Sequence, residues 1–343
     1  MASDENKDVI LDVKHLKTYF LSGKKNETEM RASDDLSYQV HKGEFVAIVG
    51  ESGSGKSVSA LSVMGLIPYP PGLVVGGEIL FHGEDLLLAS DERIRQIRGS
   101  KISMIFQEPS TALNPVVTIG KQISETIRIH NSKISKKDAM NKAIELLGKV
   151  NIPNPEVRAK QYPFELSGGM QQRAMIAMAM SCDPEILIAD EPTTALDVTV
   201  QAQVLEQLNS LRDEYGTALI LITHNLGVVA RYADSVKVVY GGKIVESGSP
   251  DHIFENPHHP YTLGLICAVP RLDLPRSHGL HTIEGDPPNM AEIKENSCAF
   301  APRCKYATDR CFNERPPEAE IEEGHICACF NMDKTEEERR ALV

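Results

Sequence analysis

The segment Gly50-Glu-Ser-Gly-Ser-Gly-Lys56-Ser57 constrains this chain more than any other. It follows the apolar, β-branched run Glu44–Gly50 and precedes Val58–Met64, a stretch compatible with a helix. Strand, glycine-rich loop and helix in this order match G-x-x-x-x-G-K-[ST]. Gly50, Gly53 and Gly55 let the backbone fold so that successive N–H groups, those of Ser52 and Ser54 among them, face one phosphate group. The helix N-terminus adds its positive end. Lys56 is then expected to reach the β- and γ-phosphates of a nucleotide, and Ser57 to ligate Mg²⁺.

A second apolar run, Glu185-Ile-Leu-Ile-Ala-Asp190, ends in the pair Asp190-Glu191. A third, Ala218–Thr223, follows a helical-looking stretch, Thr199–Tyr215. Strand, helix, strand predicts a parallel sheet with the carboxylates at its carboxyl edge. There Asp190 suits the Mg²⁺ shell, and Glu191 suits orienting or deprotonating an attacking water; alone, the pair reads equally well as a solvated turn. Between Pro115 and Met180, Ile119, Ile123, Ile127, Ala143, Leu146 and Leu147 recur at helical spacing and predict a helical insert. Short strands are expected at Val9–Val13 and Leu36–Val40. The fold class expected is α/β: a phosphate-loop, RecA-like parallel core with an antiparallel β edge, a helical subdomain at about 110–182, and an irregular extension carrying cysteines.

Length and charge narrow the function. A chain of 343 residues accommodates one large domain and a smaller appendage. A net charge of −12 opposes docking on a polyanion, so nucleic acid is not an expected partner. The start, MASDENKD, is acidic where a secretory signal is basic and then apolar, and no apolar run approaches a membrane span. The expected place is the cytoplasm, where thiols stay reduced. Past Ser249 prolines and histidines become dense, which sets an expected boundary near 260, giving a nucleotide-binding domain at 1–260 and an extension at 261–343. The closing Lys-Thr-Glu-Glu-Glu-Arg-Arg reads as a solvated charged end.

The discriminating segment is Leu166-Ser-Gly-Gly-Met-Gln-Gln-Arg173. Ser167, Gly168 and Gly169 fit a plain N-cap and turn, or a second anion site at a helix N-terminus. With it, the chain resembles ATP-binding-cassette ATPases. That resemblance implies further roles: Phe20, or alternatively Tyr19, stacking on adenine; Gln107 in Met104-Ile-Phe-Gln-Glu-Pro109 sensing Mg²⁺ and nucleotide; Ala195-Leu196-Asp197 as the D-loop; and His224 contacting the γ-phosphate. It also implies that Ser167 and Gly169 contact an ATP held by another subunit. A second cassette is therefore expected as partner, with two ATPs sandwiched head to tail.

The similarity extends to the D-type ATP-binding subunits of oligopeptide and dipeptide importers. It rests on Gln107–Pro115, Asp190–Val198, Thr223–Ala230, His259-Pro-Tyr-Thr262 and the tail cysteines. It implies two membrane permeases as partners, an extracellular binding protein acting indirectly, and a peripheral position at the cytoplasmic face. Cargo other than peptide, such as nickel, stays open, and a soluble cassette protein of DNA repair or translation is the rival. Met170 stands where many cassettes have Gln, and Asn225 where Asp usually follows the switch histidine. Five of the seven cysteines lie in the tail. Cys298, Cys304, Cys311 and Cys329 offer four thiolates for a 4Fe-4S cluster or zinc, with no metal as the third option and a structural or a redox-sensing role open. The resemblance favours the cluster, takes Cys329 as the fourth ligand by the pattern Gly324-His325-Ile-Cys-Ala-Cys329, and leaves Cys327 extra.

Overall fold

The computed structural model describes residues 8–22, 28–194, 197–269 and 282–342. Its strands are β1 (Val9–Ser22), β2 (Thr28–His41), β3 (Phe45–Val49), β4 (Gly72–Phe81), β5 (Glu84–Asp85), β6 (Ile102–Ile105), β7 (Ile186–Asp190), β8 (Ala218–Thr223), β9 (Ser235–Tyr240), β10 (Lys243–Gly248), β11 (Ala319–Glu322) and β12 (His325–Cys327). The chain divides into two compact units. Of the described residues, one holds 8–9, 41–44 and 88–222; the other holds 10–40, 45–87 and those from 223 onward.

In the first unit β6, β7 and β8 run parallel, in register from Ile102↔Ile186 to Ile105↔Ala189 and from Ile186↔Ala218 to Asp190↔Ile222. Every residue of the three strands is buried. Burial on both faces explains why they read as unbroken apolar runs rather than alternating ones. The helical insert is present: Ile119–His130 buries Ile119, Ile123 and Ile127, and Lys136–Lys149 buries Ala139, Ala143, Leu146 and Leu147. Ser135 caps the second helix by accepting from Asp138 N at 3.1 Å. Gly120 lies so close to the neighbouring chain that a Cβ there would sit 2.8 Å from Ala159 O.

The second unit contains an antiparallel sheet ordered β2-β1-β4-β5. Strands β1 and β2 outrun the expected apolar pieces, because an antiparallel strand with one wet face carries polar residues at alternate positions. The unit also holds β3, parallel to β9 from Val46↔Ser235 to Val49↔Val238. Strands β9 and β10 form a hairpin across Gly241-Gly242, whose φ values of 56° and 77° suit a tight turn. Then the tail joins: β12 pairs with β10 at Glu246↔Cys327 and Ser247↔Ile326, and β11 pairs with β12. Val49, Val238, Tyr240, Val245, Tyr261 and Phe300 share one core, so tail and hairpin are packed as one body.

The charged end differs from expectation. Met332–Leu342 is a helix, Thr335 is fully buried, and Arg339 donates to Glu255 O at 2.8 Å. Glu338 accepts from Tyr306 Oη at 2.6 Å and pairs with Lys305. This end is docked rather than solvated, because Glu338 and Arg339 meet partners contributed by distant segments.

Candidate functional site

Gly50 leaves β3 with φ 150°, and a Cβ on it would lie 2.2 Å from Val239 O. Gly55 has φ 102°, and a Cβ there would lie 1.9 Å from Ala32 O. No side chain fits at either position. Gly53, at φ 78°, faces open space. Gly55 opens the helix Lys56–Val63, whose first residue is buried. Lys56 Nζ donates to Gly50 O and Glu51 O at 2.8 Å each and reaches Ser54 Oγ at 3.4 Å. Ser52 is exposed, Ser54 buried and Ser57 half-buried. The loop is therefore folded around its own lysine, in the strand–loop–helix order read from the sequence.

Phe20 and Tyr19 point to opposite faces of β1. Tyr19 Oη donates to Asp34 Oδ1 at 2.7 Å, and Asp34 in turn pairs with Lys243 at 3.1 Å. Burial, and then the bond to Asp34, raise the Tyr19 pKa above its ordinary value. Tyr19 is thus bound into a buried ionic network. Phe20 shares the face of Thr18, whose hydroxyl bonds Ser62 of the phosphate-loop helix at 2.8 Å. Of the two rings, Phe20 is the one on the side of that helix.

In the first unit, Asp190 ends β7 and is buried. Glu191 follows with φ 43°, its N donating to Ile222 O at 2.9 Å. Its Oε2 accepts from Gln107 Nε2 at 3.0 Å and from Thr194 Oγ1 at 2.8 Å. Two sequence candidates 84 residues apart are thereby in contact. An amide and a hydroxyl donating to the same carboxylate oxygen hold the carboxylate in place.

Ser167 is the N-cap of helix Gly168–Ala179, accepting from Met170 N at 3.4 Å. It and Gly168 are exposed, and a Cβ on Gly168 would meet nothing. The plain N-cap reading and an accessible helix N-terminus hold together at this place. Asp197 caps the following helix, its Oδ1 accepting from Val200 N at 3.0 Å; Ala195 and Leu196 lie outside the described residues.

His224 is exposed directly after β8. Asn225 Oδ1 accepts from Gly227 N at 3.1 Å and Val228 N at 3.4 Å. The departure from Asp therefore retains the helix cap, a task Asn and Asp perform about equally.

The tail thiols come close enough to influence one another's charge: Cys329 feels Cys298, Cys304 and Cys311, and Cys298 feels Cys304 and Cys311. Burial pushes the Cys298 thiol up to about 11 and Cys329 up to about 12. Asn331 donates to Cys329 Sγ through its N at 3.3 Å and to Cys311 Sγ through Nδ2 at 3.5 Å. Among the described residues, however, no three His, Cys, Asp or Glu are placed to hold a metal ion. The expectation of a 4Fe-4S cluster is not supported by this geometry, in which the sulfurs face amide donors and each other's neighbourhoods without closing on a centre.

Sequence reasoning missed two constellations. Glu246, fully buried, accepts from His258 N at 2.7 Å, His259 N at 3.1 Å and His325 Nε2 at 2.9 Å. Arg303, between two of the cysteines, donates two hydrogen bonds to the carboxylate of Glu51 of the phosphate loop, at 2.6 and 3.1 Å. A signal for the second existed: a carboxylate inside an anion-binding loop requires a counter-charge.

Residues 33–194 match the family described as ABC transporter. Among solved structures, the dimeric ATP-binding cassette MJ0796 in a post-hydrolysis state bound to ADP and Pi superposes with TM-score 0.63 at 26% identity, covering 70% of this chain and 98% of that one. CbiO1 of Clostridium perfringens, part of a CbiONQ transporter complex, gives 0.60 at 26%, covering 73% and 92%. The fold and phosphate loop define an ATPase of the ATP-binding-cassette class.

Residues 245–311 further match the family described as oligopeptide/dipeptide transporter, C-terminal region. The oligopeptide transport ATP-binding protein OppD of Bacillus subtilis is 48% identical over 316 residues, 92% of this chain and 87% of that protein. The dipeptide transport ATP-binding protein DppD of the same organism is 48% identical over 308 residues, covering 90% and 91%. The chain belongs to this family of ABC-transporter ATP-binding subunits.

Proposed function

We propose that the chain is the MgATP-hydrolysing subunit of a di- and oligopeptide importer. It works as a head-to-tail dimer with a second, different cassette against two membrane permeases, at the cytoplasmic face, while an extracellular binding protein delivers the peptide. The carrying observation is the match of the tail to the oligopeptide/dipeptide C-terminal region, joined to relatives aligned over nearly the whole chain. Among the described residues no helix is long and apolar enough to cross a membrane. Residues 1–260 are read as the nucleotide-binding domain and 261–343 as the extension.

Within the nucleotide site, Lys56 and the loop amides bind the phosphates, and Ser57, Gln107 and Asp190 attend Mg²⁺. Glu191 orients the attacking water, His224 meets the γ-phosphate, and Phe20 stacks on the base. Ser167, Gly168, Gly169 and Asp197 serve the partner's nucleotide. The bond from Gln107 to Glu191 supports this division: it couples the residue that reports on nucleotide to the one that acts on water. Glu191→Gln tests it. The assembled transporter is expected to keep MgATP binding and lose ATPase by about 100-fold or more; full turnover in the variant would remove Glu191 from the role.

The thiols carry a finer reading. Four mutually close soft donors suit a 4Fe-4S centre if their sulfurs close on one, and its role would be to staple the tail. Protein purified without oxygen decides it: broad absorption near about 400 nm with about four irons per chain supports the cluster, and iron-free, zinc-free protein overturns it.

A further inference from the structure

We propose that Arg303, in the cysteine-bearing tail, is a positioning residue for the phosphate loop: it neutralises Glu51 and, with Tyr261, fixes the loop's opening turn for nucleotide.

Glu51 is the second residue of the loop and places a carboxylate where the chain receives an anion. Left unpaired, that charge repels phosphate and opposes binding. Arg303 meets it with a fork, Nη1 to Oε2 at 2.6 Å and Nη2 to Oε1 at 3.1 Å. The remaining guanidinium donors are also engaged: Nε to Glu284 O at 3.0 Å, Nη2 to Ile283 O at 3.3 Å and Nη1 to Tyr240 Oη at 3.3 Å. A guanidinium has five N–H donors, and all of them are directed here. Its side chain is only 6% exposed, against 25% for Glu51, so this pair is far better shielded from solvent than a surface ion pair.

The backbone of the same residue is held as well. Glu51 N donates to Tyr261 Oη at 2.8 Å, and Lys56 Nζ donates to Glu51 O at 2.8 Å. Tyr261 is fully buried, its ring 4.5 Å from Tyr240 and 5.4 Å from Phe300. Two distant segments, at 261 and 303, therefore meet on one loop residue, and Tyr240 braces both of them. Glu51 N is thereby withdrawn from the phosphate cradle, leaving the later amides of the loop to form it. Because Arg303 ends the turn Ala301–Arg303 and precedes Cys304, its place depends on the folding of the thiol segment. The function of the loop thus reaches into a tail that contains none of the nucleotide motifs.

The proposal rests on the nucleotide-binding reading, so MgATP binding to wild-type full-length protein is measured first. Its absence overturns both. Arg303→Ala is expected to raise the Kd for MgATP about tenfold or more, since it leaves a carboxylate unpaired beside an anion site. Adding Glu51→Gln is expected to restore most of that affinity, because the offending charge is gone. In the assembled transporter, Arg303→Lys is expected to raise KM for ATP several-fold with kcat within about twofold, the mark of a ground-state binding effect. A role in tail stability alone predicts no rescue by Glu51→Gln. Unchanged affinity in Arg303→Ala, or a loss that Glu51→Gln does not relieve, overturns the clamp while the nucleotide reading stands. If Arg303→Ala does not fold, Arg303→Lys with and without Glu51→Gln supplies the same cycle.

Discussion

The phosphate loop and the tail that holds it are built on opposite principles. In the loop, geometry is demanded by the backbone: Gly50 and Gly55 approach Val239 O and Ala32 O so closely that only hydrogen fits. Such a demand fixes residue type at fixed spacing, and a short motif results. Where the tail is held, Glu246 of β10 gathers two amides and the tail's His325 ring, and the tail's Arg303 gathers Glu51, Tyr240 and two carbonyls. Any arrangement that brings the same charges together satisfies those needs, so no local pattern records them. Function can therefore depend on the tail as heavily as on the loop while only the loop announces it.

The largest effect expected is at Gly55→Ala. A Cβ at 1.9 Å from Ala32 O, on a residue at φ 102°, forces the loop away from β2. MgATP binding should fall below detection, with a loss of about 2–4 kcal/mol in denaturant unfolding. Near-normal binding would mean that the loop tolerates movement and is not backbone-determined. Next comes Glu246→Gln, which keeps the shape and removes the charge that faces His325. A loss of about 2–3 kcal/mol is expected, read as faster proteolysis of the tail, with nucleotide affinity falling because Arg303 shifts with it. Loss of the tail without any change in affinity would separate the two regions that the structure joins.

The smallest effect is in pH. Burial opposes protonation of His325, but the bond to Glu246 and the pull of Glu322 outweigh it, and its pKa is raised. His252 stacks on this ring at 4.8 Å, and His258 lies edge-on at 5.3 Å. A raised folded value means that the pair's contribution is complete below about pH 6.5 and fades as pH climbs through the raised value. His259 has the opposite sign: burial lowers it to about 4, so its contribution is present above about pH 6.5 and lost on acidification toward that value. Unfolding of the tail followed from pH 6 to 8 should show the alkaline loss in wild type and a flatter curve in His325→Gln.

The sequence made much of the site readable. The loop, Asp190-Glu191 at the end of a buried strand, and Ser167 opening its helix all stand where local pattern put them. What stayed hidden was what they touch. The contact of Gln107 with Glu191, the commitment of Tyr19 to Asp34, and Arg303 on Glu51 each span from 15 to 252 residues. Strand β4 was hidden by composition: its glycines and the exposed Leu73 and Val75 weaken the alternation that marks a strand. The docked final helix was hidden by charge, since Glu338 and Arg339 look solvated until Tyr306 and Glu255 are known to meet them.

Pairing of β12 with β10 also bears on how the protein is made. Until His325–Cys327 leaves the ribosome, one side of β10 presents unpaired amides and carbonyls to every other nascent chain, the kind of edge on which strands of different molecules add. The finished edge is different in kind: β11 is four residues long and carries two glutamates, a poor template for further pairing. Synthesis of the segment through Cys327 therefore ends a period of vulnerability. Truncations there should appear first as aggregates during expression, before any defect in nucleotide chemistry is measured.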